Sequence, residues 1–81
     1  MKTCNIKYFG MIAEKLEKES EEINISDLKA ISNEVNKAIL KLHPALEGMS
    51  FTVAVNEKIA ERWNEQEEIY SIAVLPPFAG G

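Results

Sequence analysis

Ile69-Tyr70-Ser71-Ile72-Ala73-Val74-Leu75-Pro76-Pro77-Phe78-Ala79-Gly80-Gly81 joins an alternating apolar stretch directly to a tail marked by proline and glycine. Tyr70, Ile72 and Val74 alternate with Ile69, Ser71, Ala73 and Leu75, the period of two that predicts the last and best-buried strand of a sheet. Pro76 and Pro77 then hold φ near the polyproline value, and Pro76 restricts Leu75 as well. Residues 76–81 are therefore expected to leave a domain of residues 1–75 as an extended, partly pre-ordered arm. At roughly 3.3 Å per residue that arm reaches about 20 Å, enough to thread a buried pocket. At an average glycine usage of about 7%, a Gly-Gly pair falls at a given place about 0.5% of the time. Lacking Cβ atoms, such a pair would let a bare α-carboxylate approach another protein's reactive groups closely. The carboxylate of Gly81 is the leading functional candidate, with Pro76, Pro77, Phe78, Ala79 and Gly80 as the threading segment.

Upstream, Phe51, Val53 and Val55 alternate with Thr52, Ala54 and Asn56, which predicts a third strand followed by an Asn56-Glu57 turn. Lys58 to Glu68 fits two readings. Ile59 and Trp63 stand four apart as on a helix, yet the segment also suits a short edge strand plus a loop, which is the preferred reading. At the other end, Cys4, Ile6 and Tyr8 alternate with Thr3, Asn5, Lys7 and Phe9, a half-buried first strand stopped by Gly10. Met11 to Lys18 sets Ile12 and Leu16 one turn apart on a short helix. Ser20 to Ile25 reads as a second strand pairing back on the first, with Ser26-Asp27 as the next helix start. From Leu28, the residues Ile31, Val35, Ala38, Ile39 and Leu42 make one apolar stripe, a single main helix ended where His43 precedes Pro44. This order predicts an α+β roll of the β-grasp kind, a mixed sheet on one main helix with first and last strands parallel at its centre.

A chain of 81 residues supports one domain. Its 46% apolar and 27% charged residues are those of a soluble globule, and no apolar run approaches the roughly 18 residues of a membrane span. Met1-Lys2-Thr3-Cys4-Asn5 has no apolar leader region, so a cytoplasmic location and no membrane partner are expected. The net charge of -4 argues against nucleic acid and suits a basic partner surface. Cys4 is the lone cysteine and His43 the lone histidine, so neither a disulfide nor a metal cluster is expected. Cys4 lies on the core face, where a thiol acts as a small hydrophobe, and His43 reads as a helix-end residue. The acidic runs Glu17 to Glu22 and Glu65 to Glu68 read as solvated surface. Phe9 and Leu75 point away from the helix layer with small Ala54 and Ala73 between them, a flat apolar patch suited to docking.

Ile72 to Gly81 resembles the hydrophobic last strand, Pro-Pro and Gly-Gly ending of the small, sulfur-carrying subunit of molybdopterin synthase. Val53-Ala54-Val55-Asn56-Glu57 is similar to that family's third strand and turn, and Lys7-Tyr8-Phe9-Gly10 to the end of its first strand. The resemblance implies a ubiquitin-like β-grasp protein, non-catalytic by itself, that serves molybdenum cofactor biosynthesis within a heterotetrameric synthase. An ATP-dependent activating enzyme similar to those of ubiquitin pathways would adenylate Gly81, and a sulfurtransferase would supply the sulfur. The resulting thiocarboxylate would donate to a pterin precursor inside the large synthase subunit. ATP would be consumed on the activating enzyme, with no cofactor held by this chain. By position Phe9, Ile59 and Leu75 match the family's docking residues, Ile59 on the resemblance alone. Two features depart from the pattern. Glu65-Gln66-Glu67-Glu68 has no glycine where the family turns with Gly-Asp-Glu, and Trp63 is unexpected. A sulfur carrier for thiamine or a thionucleoside shares the fold and ending, although Pro76-Pro77 and the greater length favour molybdopterin. A ubiquitin-like modifier joined to lysine amines through Gly81 is the alternative of another class, and an interaction module with a passive tail is the plainest.

Overall fold

The computed structural model describes residues 2–77, and the expected positions Phe78, Ala79, Gly80 and Gly81 lie outside them. Five strands form one mixed sheet: β1 (Thr3–Tyr8), β2 (Ser20–Asn24), β3 (Thr52–Val55), β4 (Lys58–Ile59) and β5 (Ile72–Leu75). Their spatial order is β2-β1-β5-β3-β4. β1 and β5 run parallel at the centre, in register Ile6 with Ile72 and Tyr8 with Val74, and every other pairing is antiparallel. This is the arrangement expected for a β-grasp roll, and residues 58–68 adopt the edge-strand and loop form. Ile6, Tyr8, Val53, Ile72 and Val74 face one core together with Ile12, Leu28, Val35, Ala38, Ile39 and Leu46 from the helical side. All of these are at most 3% exposed, so the alternation separates the two sheet faces cleanly at the centre.

The single main helix is the largest correction. Two helices occupy its place, α2 (Ile25–Ile31) and α3 (Val35–Leu42), after α1 (Gly10–Leu16). Ser32 is fully extended (φ -166°, ψ 149°), and its Oγ accepts the Glu34 amide at 3.0 Å. Serine competes with the helix for backbone donors in this way. The break is closed from outside by residues 61–63. The Val35 amide donates to the Glu61 carbonyl (2.9 Å), the Trp63 amide to Asn33 (3.2 Å), and the Trp63 indole to the Ser32 carbonyl (2.8 Å). Trp63 is 7% exposed. The unexpected tryptophan thus belongs to the helix break, where it buries its ring and satisfies a carbonyl left free at the end of α2.

Element ends also moved, each for a local reason. The α2 cap is Asn24 rather than Ser26, because its Oδ1 accepts the Ser26 and Asp27 amides at 2.9 and 3.3 Å. β2 therefore stops at Asn24. β1 stops at Tyr8 because Phe9 caps α1 with extended dihedrals. α3 ends at Leu42 before His43-Pro44, as expected, and a 3-10 turn follows at Pro44–Leu46. The last strand begins at Ile72 instead of Ile69. Asn56, 5% exposed, explains this: its Oδ1 accepts the Tyr70 and Ser71 amides at 2.8 and 3.3 Å, and its Nδ2 donates to the Glu68 carbonyl and Glu67 Oε1, both at 2.7 Å. Residues 67–71 are bound to one side chain before β5 starts. Asn56 and Glu57 have φ of 52° and 66°, the left-handed pair of a tight hairpin turn, which asparagine tolerates.

Candidate functional site

The sheet face away from the helices is built by strand register. Ala54 pairs with Ala73 across β3 and β5 and with Ile59 across β3 and β4, and Thr52 pairs with Leu75. Directly paired residues share a face, so Ile59 joins Ala54, Ala73 and Leu75. Register thus gives Ile59, named above on resemblance alone, a geometric reason. Phe9 continues the outward parity of Asn5 and Lys7, and its amide donates to the Val74 carbonyl at 3.1 Å, which sets it beside the end of β5. Phe9 is 43% and Ile59 59% exposed, and Leu75 is half-buried. A depression of about 530 Å³ lined by Lys7, Phe9, Glu57, Tyr70 and Ala73 lies on this face.

Tyr70 is a correction. The alternation placed it inward with Ile72 and Val74, yet it is 66% exposed while Ile69 is 8% exposed. Parity holds only inside a strand, and the Asn56 clamp keeps residues 69–71 out of β5. Met11, 56% exposed, is a further apolar side chain that the sequence reading left unassigned.

Pro76 sits against the corner between β1 and α1. Gly10 has φ of +55°, and a Cβ there would stand 3.2 Å from Pro76 Cγ and 3.7 Å from its Cδ. Glycine is favoured twice at this position, once by the backbone and once by the close approach. The neighbouring Phe9 faces outward, so the candidate docking face and the tail root share one dipeptide.

Two other candidates resolve as structural. Cys4 is 5% exposed in the core, and burial pushes its thiol up, away from the reactive thiolate. His43, at the α3 end, meets two groups that its sequence neighbours could not reveal. Its Nε2 lies 2.9 Å from the Tyr8 hydroxyl and in contact with Glu21 Oε2, to which Tyr8 also donates. Burial pushes the Glu21 carboxyl up, but the Tyr8 and His43 hydrogen bonds and the charges of His43 and Lys18 outweigh it and hold the group below the usual range. Burial, then the Glu21 hydrogen bond and charge, push Tyr8 up. This cluster ties β1, β2 and the α3 end together. No group of three or more His, Cys, Asp or Glu side chains able to hold a metal occurs among the described residues, and no helix among them is long and apolar enough to cross a membrane.

Residues 6–81 match the ThiS family. The chain belongs to the ThiS family. The matched span of this ThiS-family chain runs from the middle of β1 through every later element to Gly81. Comparison with curated protein sequences found no match. Among solved structures, the chain is similar to one described as a molybdopterin converting factor subunit 1 from Pyrococcus furiosus. The TM-score is 0.64 at 19% identity, covering 94% of this chain and 98% of that one. It is also similar to SAMP1 from Haloferax volcanii, with a TM-score of 0.59 at 19% identity, covering 99% and 100% of the two chains. These likenesses show the ubiquitin-like β-grasp fold. In the ThiS-family chain the loop without glycine is built by side chains instead. Asn64 Oδ1 accepts the Gln66 amide at 3.0 Å, its carbonyl accepts Glu67 at 3.1 Å, and Asn56 holds the far end.

Proposed function

We propose that this ThiS-family β-grasp protein, a member of the sulfur-carrier and ubiquitin-like modifier class, carries sulfur for molybdopterin formation on the carboxylate of Gly81. The observation that supports this most is the ending Pro76-Pro77-Phe78-Ala79-Gly80-Gly81, joined without a linker to the central strand β5. A free carboxylate is a poor electrophile. An activating enzyme would let a Gly81 oxygen attack the α-phosphate of ATP with loss of pyrophosphate, and a hydrosulfide equivalent from a sulfurtransferase would then displace AMP to form the C–S bond. The thiocarboxylate is a nucleophile at neutral pH. It would pass sulfur to a pterin precursor held by the large synthase subunit, in the cytoplasm, and this chain would supply position rather than acid-base groups.

Intact mass spectrometry of the protein from its native host tests the proposal. The expected result is a population in which one terminal oxygen is replaced by sulfur, in a chain that copurifies with a large synthase subunit. Copurification with a thiazole-forming synthase would move the role to thiamine. Isopeptide adducts on lysines, without any thiocarboxylate, would favour a modifier.

Docking is assigned to the face bearing Phe9, Ile59 and Leu75. Leu75→Glu is expected to weaken binding of the large subunit at least about a hundredfold in isothermal titration, because it sets an unpaired charge in a dry contact. Leu75 is half-buried on the outer face, so the variant should fold. Unchanged affinity would remove this face from the proposal.

A further inference from the structure

We propose that Gly10 is a positioning residue, the notch that sets the angle at which the tail leaves the domain. This rests on the carrier reading above and assigns a role in it to a residue outside the docking face and the tail. Three observations meet at one corner. The Phe9 amide bonds the Val74 carbonyl at 3.1 Å, which ties the start of α1 to β5 two residues before Pro76. Gly10 turns the chain with φ of +55°. Its missing Cβ leaves the space that Pro76 fills, since a Cβ would approach Pro76 Cγ to 3.2 Å. That distance is tighter than ordinary packing, so any side chain at position 10 must push the proline ring or shift α1.

Pro76 passes such a push onward. Its ring fixes φ, and Pro77 behind it does the same, so the two act as a stiff joint rather than absorbing the tilt. A displaced Pro76 ring turns the peptide that leads into Pro77, and with it the direction in which the chain leaves the sheet. A misplacement of about 1 Å at a reacting centre can cost roughly a hundredfold in rate. Phe9 faces the docking side and Gly10 the tail, so one dipeptide converts the orientation of the docked domain into the direction of the arm. A change at Gly10 should then spare binding and slow the chemistry.

The test is ATP–pyrophosphate exchange on the purified activating enzyme, with the full chain and its Gly10→Asn, Pro76→Ala and doubly substituted variants as substrates. Asparagine tolerates positive φ better than other side chains but carries the offending Cβ. Gly10→Asn is expected to lower kcat at least about tenfold with KM unchanged, in a variant that stays folded with its thermal midpoint lowered by roughly 5–10 °C. Pro76→Ala, at the end of a strand where folding is not at risk, should also lower kcat at unchanged KM. If the two residues act through one contact, the double variant loses no more than Pro76→Ala alone. Parental kcat in either single variant, or losses that simply multiply in the double one, overturns the inference. A parental chain that supports no exchange at all overturns the carrier reading, and this inference with it.

Discussion

Deleting Gly81 is expected to abolish the proposed adenylation, with ATP–pyrophosphate exchange reduced more than about a hundredfold, while the thermal midpoint stays within about 2 °C of the parent's. The deletion leaves a carboxylate on Gly80, but withdraws it by roughly 3.3 Å, the rise of one extended residue. That exceeds the tolerance of a near-attack geometry, so chemical identity is kept and reach is lost. Adding one residue after Gly81 should do comparable damage by overshooting and by placing a Cβ where glycine passed. Stability is spared because a glycine has no side chain to bury. Calorimetry and exchange kinetics on the same samples check both halves, and a truncated chain that is still adenylated at the parental rate would refute the proposed chemistry.

Asn56→Ala lowers the stability of the folded domain by about 3 kcal/mol, which for a domain of this size is a fall of roughly 15 °C in Tm. The side chain makes two donor and two acceptor bonds to residues 67–71, and the residue sits at φ 52°. Removing it unpairs the Tyr70 and Ser71 amides and the Glu68 carbonyl and leaves alanine in a conformation it disfavours. Asn56→Gly separates the two costs. Glycine relieves the backbone strain but none of the lost bonds, so it should recover no more than about 1 kcal/mol. Urea unfolding of the three proteins measures this, and an alanine variant as stable as the parent would show that the loop is held by other contacts.

Much of this molecule was readable from local pattern. The strands containing Ile6, Val53 and Ile72 show period two because one face meets the helices and the other does not. The succession of strands and helices along the chain suited a β-grasp roll with the first and last strands parallel at the centre, which is the order observed. The Asn56-Glu57 turn and the stop at His43-Pro44 were legible because they depend on a residue's own dihedral preferences. The break that divides the expected main helix was not, since its stripe runs unbroken from Leu28 to Leu42 and nothing near Ser32 announces that residues 61–63 will bond the chain open. The inward placement of Tyr70 failed for the same reason, because a side chain at position 56 decides where β5 begins.

By itself the sequence determined the β-grasp order and the separation of the sheet's faces at its centre, for these depend on periodicity along a few neighbouring residues. Tertiary structure alone decided what contacts between distant residues create. Register set Ala54 between Ala73 and Ile59, folding brought His43 to Tyr8 and Glu21, and the close approach of Pro76 gave Gly10 a partner. Apart from the Ala54–Ile59 pair across the hairpin turn, those contacts join residues 19 to 66 positions apart, a separation that no local preference encodes and only the packed chain supplies.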